Sequence, residues 1–173
     1  MGLPGVEELI HLYGLQPHPE GGYYRETYRS TGTIPRVGLP AAYENPRSFS
    51  TAILFLLPAR TVSKLHRLRS DELWHFHLGG PLTITEILPN GAVRRTLLGP
   101  EVLAGQKLQH AVPSGAWFGA EPAPAAEYAL VGATVSPGFD FSDFEMGRQQ
   151  ELVARFPHAR KIIENLTEPR RDL

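Results

Sequence analysis

The chain has 173 residues, of which 42% are hydrophobic and 20% charged, and a formal net charge of -1 at pH 7. This length allows one domain with a substantial core, and the composition is that of an ordinary globular protein. The near-zero charge, without a basic stripe, argues against nucleic acid as a partner. The absence of cysteine excludes disulfides, thiol catalysis and cysteine-ligated zinc.

The N-terminal segment predicts a short amphipathic helix. Val6, Leu9, Ile10 and Tyr13 recur on one helical face, and Gly14 is placed to end the helix. The segment contains acids but no Lys or Arg, so we expect no signal peptide. No stretch reaches the roughly 18 apolar residues of a membrane span. We therefore expect a cytoplasmic protein that does not bind a membrane.

A turn rich in proline and glycine leads into the first predicted strand. Residues 17–22 form the turn, and residues 23–29 alternate aromatic and charged side chains as a strand does. Residues 31–46 show no periodicity and predict a loop. Loops of this length are usually functional or lie at an interface.

The middle of the chain predicts a β-sandwich or barrel. Residues 51–57 are apolar throughout, which is typical of a strand buried on both faces. Residues 82–88 and 92–98 flank a Pro-Asn-Gly turn and predict a hairpin, and residues 127–134 predict a further strand. Many short strands separated by glycine and proline turns favour a double-sheet jelly roll.

The C-terminal part differs in pattern. Residues 136–145 combine phenylalanines with acids in a compact segment. Residues 148–156 predict a helix that Pro157 stops, and residues 162–166 predict a last short helix. The tail, residues 168–173, is expected to fray.

The segment from His66 to Gly79, HRLRSDELWHFHLG, resembles the first signature of the cupin superfamily. That signature contains two histidines separated by one residue, then a glutamate and a closing glycine. His66, Glu72 and Gly79 match it, whereas Leu68 occupies the position of the second histidine. The resemblance therefore implies the frame of a metal site with one ligand missing.

A second cupin signature is partly matched further along the chain. Residues 113–115, Pro-Ser-Gly, match its turn, and Phe118 stands where its histidine belongs. Two of the four expected ligands are thus apolar. Transition metals held by imidazoles normally use three or four protein ligands. We expect no cofactor, and a divalent metal ion remains an alternative.

Four blocks of sequence extend the resemblance over most of the chain. Together they resemble the uncharacterised cupin-5 (DUF985-like) family, and they read PHPEGGYYRET at 17–27, SDELWHFH at 70–77, VPSGAWFGA at 112–120 and SPGFDFSDFE at 136–145. More distantly, the chain is similar to the dTDP-4-dehydrorhamnose 3,5-epimerases around residues 64–66 and 21–26.

The resemblance implies a fold and an assembly. The fold is mainly β, a cupin-type double-stranded β-helix (jelly-roll) barrel with flanking N- and C-terminal helices. One domain is expected over residues 1–173, with its core at about 17–156 and a C-terminal helix and tail at 157–173. A homodimer is expected through the N-terminal strands, where the tyrosines Tyr23, Tyr24 and Tyr28 suit an interface.

His66 and Glu72 are the catalytic candidates. The resemblance implies that they face the barrel interior, where His66 would remove a proton next to a carbonyl and a tyrosine or acid would return one. In the epimerases a late acid orients the histidine. Asp140, Asp143 and Glu145 are the candidates for that role, and the sequence does not choose among them.

Strand alternation predicts which aromatic residues line the same cavity. If Glu72 faces inward, Trp74 and Phe76 do too, while His75 and His77 face the other side. The further candidates for ligand binding are Arg25, Gln109, Phe118 and Tyr128. Arg25 could instead form an ion pair at a dimer interface, and Tyr128 could be packing.

The sequence favours a small-molecule-binding cupin, with a carbohydrate-like ligand and metal-independent epimerase or isomerase chemistry. Two alternatives remain open. A metal-dependent cupin enzyme would need His75 or His77 to join His66 and Glu72 as ligands. A non-catalytic binding protein would use the same pocket without proton transfer.

Overall fold

A computed structural model describes residues 2–167 of the chain. The predicted fraying of residues 168–173 lies outside this range. Within it, the helices are α1 (Val6–Tyr13), α2 (Gln149–Arg155) and α3 (Arg160–Thr167). The strands are β1 (Gln16–Pro17), β2 (Tyr23–Arg29), β3 (Thr33–Ile34), β4 (Arg47–Ser48), β5 (Thr51–Pro58), β6 (Ser63–Arg67), β7 (Asp71–Gly79), β8 (Leu82–Ile87), β9 (Val93–Leu98), β10 (Gln109–Val112), β11 (Trp117–Pro122), β12 (Tyr128–Ser136) and β13 (Glu145–Met146).

The strands form two facing antiparallel sheets. One sheet has six strands in the order β1-β2-β5-β12-β7-β10, and the other has five in the order β13-β6-β11-β8-β9. Strands β3 and β4 form a separate two-stranded ribbon. The main core lies between the two large sheets, with Phe55 and Trp74 on one side and Ile84 and Phe118 on the other. This is a double-sheet sandwich in which each sheet buries its apolar face.

The helices cover the outer faces of the sheets. Leu9 of α1 packs with Leu56, Tyr128 and Leu130 on the outside of the six-stranded sheet. Helices α2 and α3 cover the five-stranded sheet, where their buried side chains are Leu152, Ile163 and Leu166. No helix in residues 2–167 is long and apolar enough to cross a membrane.

The predicted elements agree with the structure where their periodicity is strong. Helix α1 and strand β2 have the predicted bounds, and the predicted hairpin at Pro89-Asn90-Gly91 joins β8 to β9. The segment predicted as a loop, residues 31–46, contains the short strand β3 and one turn of 3-10 helix, Arg36–Gly38. Strands β1, β4 and β13 were not predicted because two residues carry no readable alternation.

Candidate functional site

A cavity of about 250 Å³ opens between the two sheets. Its wall combines apolar and aromatic side chains with a small set of buried polar groups, a combination typical of small-molecule sites. The polar groups include His18, Glu20, His66 and Glu72. Four other lining residues, namely Glu26, Arg29, Asp140 and Phe141, are exposed and form what we call the cavity rim.

The loop between β1 and β2 carries Glu20 into the cavity. Its position is fixed from β6, because Lys64 N donates to Glu20 O at 2.8 Å and Ser63 Oγ donates to Glu20 Oε1 at 2.8 Å. Gly21 follows with φ +117°, and a Cβ at that position would collide with the carbonyl oxygen of Val62. Only glycine tolerates both the backbone angle and the close approach. The glycines of this turn therefore serve to place Glu20.

His66 contacts the Glu20 carboxyl group. His66 Nε2 lies 3.3 Å from Glu20 Oε2, and the imidazole is held from its other side by Lys64 O, 2.7 Å from Nδ1. A carbonyl oxygen can only accept, so Nδ1 carries a proton and Nε2 of the neutral ring faces Glu20 as an acceptor. The geometry thus leaves one proton to be shared between Glu20 Oε2 and His66 Nε2.

Burial shifts both members of this pair toward their neutral forms. It raises the pKa of Glu20 from 4.5 to about 7, against the opposing effects of His18 and the Ser63 hydrogen bond. It lowers the pKa of His66 from 6.5 to about 4, although the hydrogen bond to Lys64 opposes the change. A carboxyl group with a pKa near neutrality is suited to both giving and taking a proton.

His18 is the second imidazole beside Glu20. Its Nδ1 lies 3.3 Å from Glu20 Oε2 and accepts a hydrogen bond from Glu20 N, also at 3.3 Å. Burial lowers the pKa of His18. The ring packs edge-on to Tyr24 at 4.6 Å and stacks near Phe141 at 6.3 Å. His18 therefore lies between the buried Glu20–His66 pair and the aromatic side chains of Tyr24 and Phe141.

Glu72 faces the cavity from the other sheet. It lies on β7, whereas His66 lies on β6, so the two side chains project from facing sheets. Glu72 is 7% exposed, and its carboxyl group has no hydrogen-bond or ion-pair partner within residues 2–167. Burial, reinforced by the nearby charge of Glu20, raises its pKa well above 4.5. Glu72 is thus a buried carboxylic acid that a ligand can reach.

The segment from Phe139 to Phe144 closes one side of the cavity. Its phenylalanine rings Phe139, Phe141 and Phe144 pack edge-on to one another at 5.0 to 6.2 Å. Asp143 anchors the segment through two short hydrogen bonds from Arg47, at 2.6 and 2.7 Å. Both side chains of this ion pair are buried. The pair therefore fixes the aromatic wall to strand β4.

None of the three late acids contacts His66. Asp143 pairs with Arg47, Glu145 pairs with Arg67 at 2.7 Å, and Asp140 accepts hydrogen bonds from Ser142 at the cavity rim. The expectation of a late acid behind His66 is therefore wrong. The acid that contacts His66 is Glu20, which comes from the early PHPEGG turn.

The predicted aromatic residues divide between the cavity and the core. Trp74 lines the cavity beside Glu72 on β7. Phe76 packs partly buried against the main core and does not line the cavity. Phe118 is 1% exposed, and its ring centroid lies 4.1 Å from that of His66. Phe118 supports the catalytic candidate from behind instead of facing a ligand.

The remaining ligand-binding candidates lie outside the cavity. Arg25 is exposed and donates to Tyr13 O at 2.8 Å, which ties β2 to the end of α1. Tyr128 is buried beneath α1 on the outer face of its sheet. Gln109 contacts His75 Nδ1 at 2.8 Å on the outside of β7, where His77 also lines a shallow groove. Regular alternation from Glu72 to Phe76 places His75 on the face of β7 opposite to Glu72, and the register shift in β7 falls only at His77.

The donor set does not fit a metal ion of the cupin kind. Leu68 lines the cavity and Phe118 is core, so the two missing histidines are replaced by apolar side chains. His75 and His77 lie on the outer face of β7, whereas His66 faces the cavity between the sheets. In the part of the chain that the structure describes, no three His, Cys, Asp or Glu residues are grouped so that they could hold a metal ion.

Comparison with known proteins gives a consistent family likeness. Residues 7–147 match the model of the family Cupin_5, described as Cupin superfamily (DUF985). An uncharacterized protein of Saccharomyces cerevisiae is 31% identical over 147 residues, which cover 80% of this chain and 73% of the yeast protein.

Two solved structures are similar along nearly their whole length. A hypothetical protein from Leishmania major has a TM-score of 0.86 and 38% identity, covering 95% of this chain and 99% of that one. A protein from Shewanella oneidensis has a TM-score of 0.86 and 37% identity, covering 96% and 99%. A mutant oxalate decarboxylase of Bacillus subtilis shares the fold alone, with a TM-score of 0.54 and 17% identity, and this chain spans 38% of its length.

Proposed function

We propose that this chain, which belongs to the Cupin_5 family of the cupin superfamily and is thus a small-molecule-binding cupin with the predicted fold, is an epimerase-like or isomerase-like enzyme. Its chemistry would be metal-independent proton transfer next to a carbonyl group of a small, carbohydrate-like ligand. The proposed catalytic residues are His66 and Glu72, together with Glu20. The more distant likeness to the rhamnose epimerases stays a prediction.

One observation carries this proposal: acid–base groups face the cavity from both sheets. The Glu20–His66 pair lies on the side of β6, with Nε2 and Oε2 3.3 Å apart, and Glu72 projects from β7. Inverting a carbon centre requires removal of a proton from one face and delivery of a proton to the other. A cavity with two such groups on facing walls meets that requirement.

The Glu20–His66 pair is the proposed base. In its ionised form the pair accepts the proton of the carbon next to the carbonyl, and that proton is then shared between Glu20 Oε2 and His66 Nε2. The electron pair of the broken C–H bond moves onto the carbonyl oxygen. Lys64 O holds the His66 ring in the one tautomer that leaves Nε2 toward the pair.

Glu72 is the proposed acid. Burial raises its pKa well above 4.5 and so favours the protonated form, which can deliver a proton to the opposite face of the carbanion and restore the carbonyl. After one turnover Glu72 is ionised and the Glu20–His66 pair carries the extra proton. Exchange with solvent through the cavity rim then resets both groups.

The experiment is solvent deuterium exchange followed by proton NMR. The protein in D₂O is mixed with a panel of small ketoses, aldoses and cyclic ketones, and loss of signal at carbons next to the carbonyl is followed. We expect enzyme-dependent exchange for at least one compound, reduced at least about 100-fold in His66→Gln and in Glu72→Gln. His75→Gln, on the outer face of β7, is the matched control and should leave exchange unchanged.

Three results would contradict the proposal. Exchange that persists in both variants would remove His66 and Glu72 from the chemistry. Ligand binding with no exchange in any bound compound would favour the non-catalytic binding protein. Exchange that depends on an added transition metal would instead favour the metal-dependent cupin enzyme.

A further inference from the structure

The charged residues of the cavity wall bear on the class of ligand that it takes. Arg29, at the cavity rim, is the single Lys or Arg that lines the cavity within residues 2–167. Its Nε donates to Glu26 Oε1 at 2.8 Å, and its Nη2 donates to Glu26 Oε2 at 2.7 Å. This two-pronged contact is the geometry in which a guanidinium binds a carboxylate most firmly.

Two more hydrogen bonds use the terminal nitrogens of Arg29. Nη2 donates to Phe139 O at 3.1 Å, and Nη1 donates to Ser48 Oγ at 3.4 Å. The Nε–Nη2 edge, which would bind a carboxylate or phosphate through two hydrogen bonds, is therefore already occupied by Glu26. A protein carboxylate, Glu26, already occupies the position that an anionic ligand would take.

The remaining ionisable side chains of the wall are acids, imidazoles and the phenol of Tyr24. The acids are Glu20, Glu72 and Asp140, and the imidazoles are His18 and His66, which are held by Glu20 and by the backbone. An anion entering this cavity would lose its hydration without gaining a fixed positive charge. Such transfers are strongly unfavourable for an unpaired ion.

The size of the cavity also favours a small ligand. At about 250 Å³ it lies below the roughly 300 to 1,000 Å³ that drug-sized ligands occupy. Its wall includes six aromatic side chains, which suit the apolar face of a ring: Tyr24, Phe55, Trp74, Phe139, Phe141 and Phe144. A nucleotide-linked or phosphorylated sugar would need both more room and a free cation.

We propose that the cavity takes a small uncharged ring compound, and that Glu26 determines this specificity by occupying Arg29. The choice of a carbonyl-bearing ring rests on the proposed function. The selection against anionic ligands does not, because it follows from the pairing of Arg29 with Glu26 and from the absence of another Lys or Arg among the described wall residues. Glu26 is thus a specificity-determining residue that does not touch the reacting atoms.

The test compares three rings that differ mainly in charge. The probes are cyclohexanone, 4-oxocyclohexanecarboxylate and 4-(dimethylamino)cyclohexanone, which are neutral, anionic and cationic at pH 7. Binding is measured by saturation-transfer NMR and by titration calorimetry on the full chain. We expect cyclohexanone to bind at least about 10-fold more tightly than the carboxylate, and no more weakly than the amine.

One variant, Glu26→Gln, is expected to bind the anionic ring more tightly than the unmodified protein does. Glu26→Gln should free Nε and Nη2 of Arg29 and raise the affinity for 4-oxocyclohexanecarboxylate about 10-fold or more. Glu151→Gln is the matched control, because it removes the same charge from an exposed pair with Arg148, and neither residue lines the cavity. It should change none of the three affinities.

Several results would overturn the inference. These are equal or tighter binding of the carboxylate to the unmodified protein, a clear preference for the amine, or no binding of any ring up to about 10 mM. An unchanged preference in Glu26→Gln would remove Glu26 as the determinant. Because only binding is measured, failure of the deuterium-exchange experiment would leave this inference intact, and the reverse also holds.

Discussion

Glu20 Oε2 lies 3.3 Å from His66 Nε2, so two residues 46 positions apart form one buried acid–base pair. The pair is held in place from both ends, by Ser63 on Glu20 and by Lys64 O on His66. Neither contact depends on a ligand. The proton-transfer geometry is therefore built into the folded chain.

The pair predicts opposite pH dependences of stability for its two members. Glu20 has its pKa raised from 4.5 to about 7 on folding, so the unfolded chain loses its proton first and stability falls as pH rises across that interval. His66 has its pKa lowered from 6.5 to about 4, so the unfolded chain gains a proton first and stability falls as pH drops from 6.5 toward 4.

Urea denaturation between pH 4 and pH 8 tests these signs. Compared with the unmodified protein, His66→Gln should no longer lose stability as the pH falls. Glu20→Gln should no longer lose stability as the pH rises. Each difference should approach about 3 kcal/mol across its interval. Parallel pH curves for the unmodified protein and both variants would show that burial shifts neither pKa.

Asp143 supports the aromatic wall through a buried ion pair, and its loss should be costly. Asp143→Asn leaves the Arg47 guanidinium buried without its charge partner, which typically costs about 3 kcal/mol or more. The same variant should loosen the segment from Phe139 to Phe144 and weaken ligand binding in the cavity. Urea denaturation and ligand titration check the two effects.

Glu145→Gln provides the matched control for that experiment. It removes a carboxylate from the same part of the chain, but its pair with Arg67 is largely exposed. Exposed ion pairs contribute about 1 kcal/mol or less. Equal losses in the two variants would mean that burial of the Arg47–Asp143 pair has no special role.

Part of the site could be predicted from the sequence because it depends on strand alternation. Glu72 and Trp74 are two residues apart on one strand, so they necessarily share a face, and both line the cavity. His66 was found through the cupin signature. Glu20 was missed as a site residue, because it lies in a proline- and glycine-rich turn where no periodicity indicates which way a side chain points.

For Arg25 and Tyr128, the sequence predicts the strand but not the face of the sheet on which the side chain lies. Each lies on a correctly predicted strand, but the face that each presents depends on which side of the sheet α1 covers. Strand bounds can be predicted from local patterns. The packing of a helix onto one half of a sheet is a tertiary choice that those patterns do not contain.

The turn that carries Glu20 should be sensitive to a single methyl group. Gly21→Ala places a Cβ against Val62 O at a backbone φ of +117°, so the turn must move and Glu20 with it. We expect a loss of about 2 kcal/mol or more in the free energy of unfolding, together with loss of deuterium exchange. Gly105→Ala, at φ +87° with open space around its Cβ, should show only the smaller backbone strain and full activity.

Leu68 occupies the position of a metal-binding histidine in the cupin signature and lines the cavity two residues after His66. Leu68→His should therefore create a site for a divalent transition metal with His66 and Glu72. Calorimetric titration with zinc or nickel should show at least about 10-fold tighter binding than in the unmodified protein. The gain should vanish when Glu72→Gln is added, and a gain that survives would place the metal elsewhere.

His66 and Glu20 share one proton inside the cavity, and imidazole ¹⁵N NMR of His66 measures this directly. We expect a neutral ring protonated on Nδ1 from pH 8 down to about 4, with a further change near pH 7 that follows ionisation of Glu20 and disappears in Glu20→Gln. A His66 ring that is protonated on Nε2, or that titrates near 6.5 as an exposed histidine does, would show that the two residues do not share a proton.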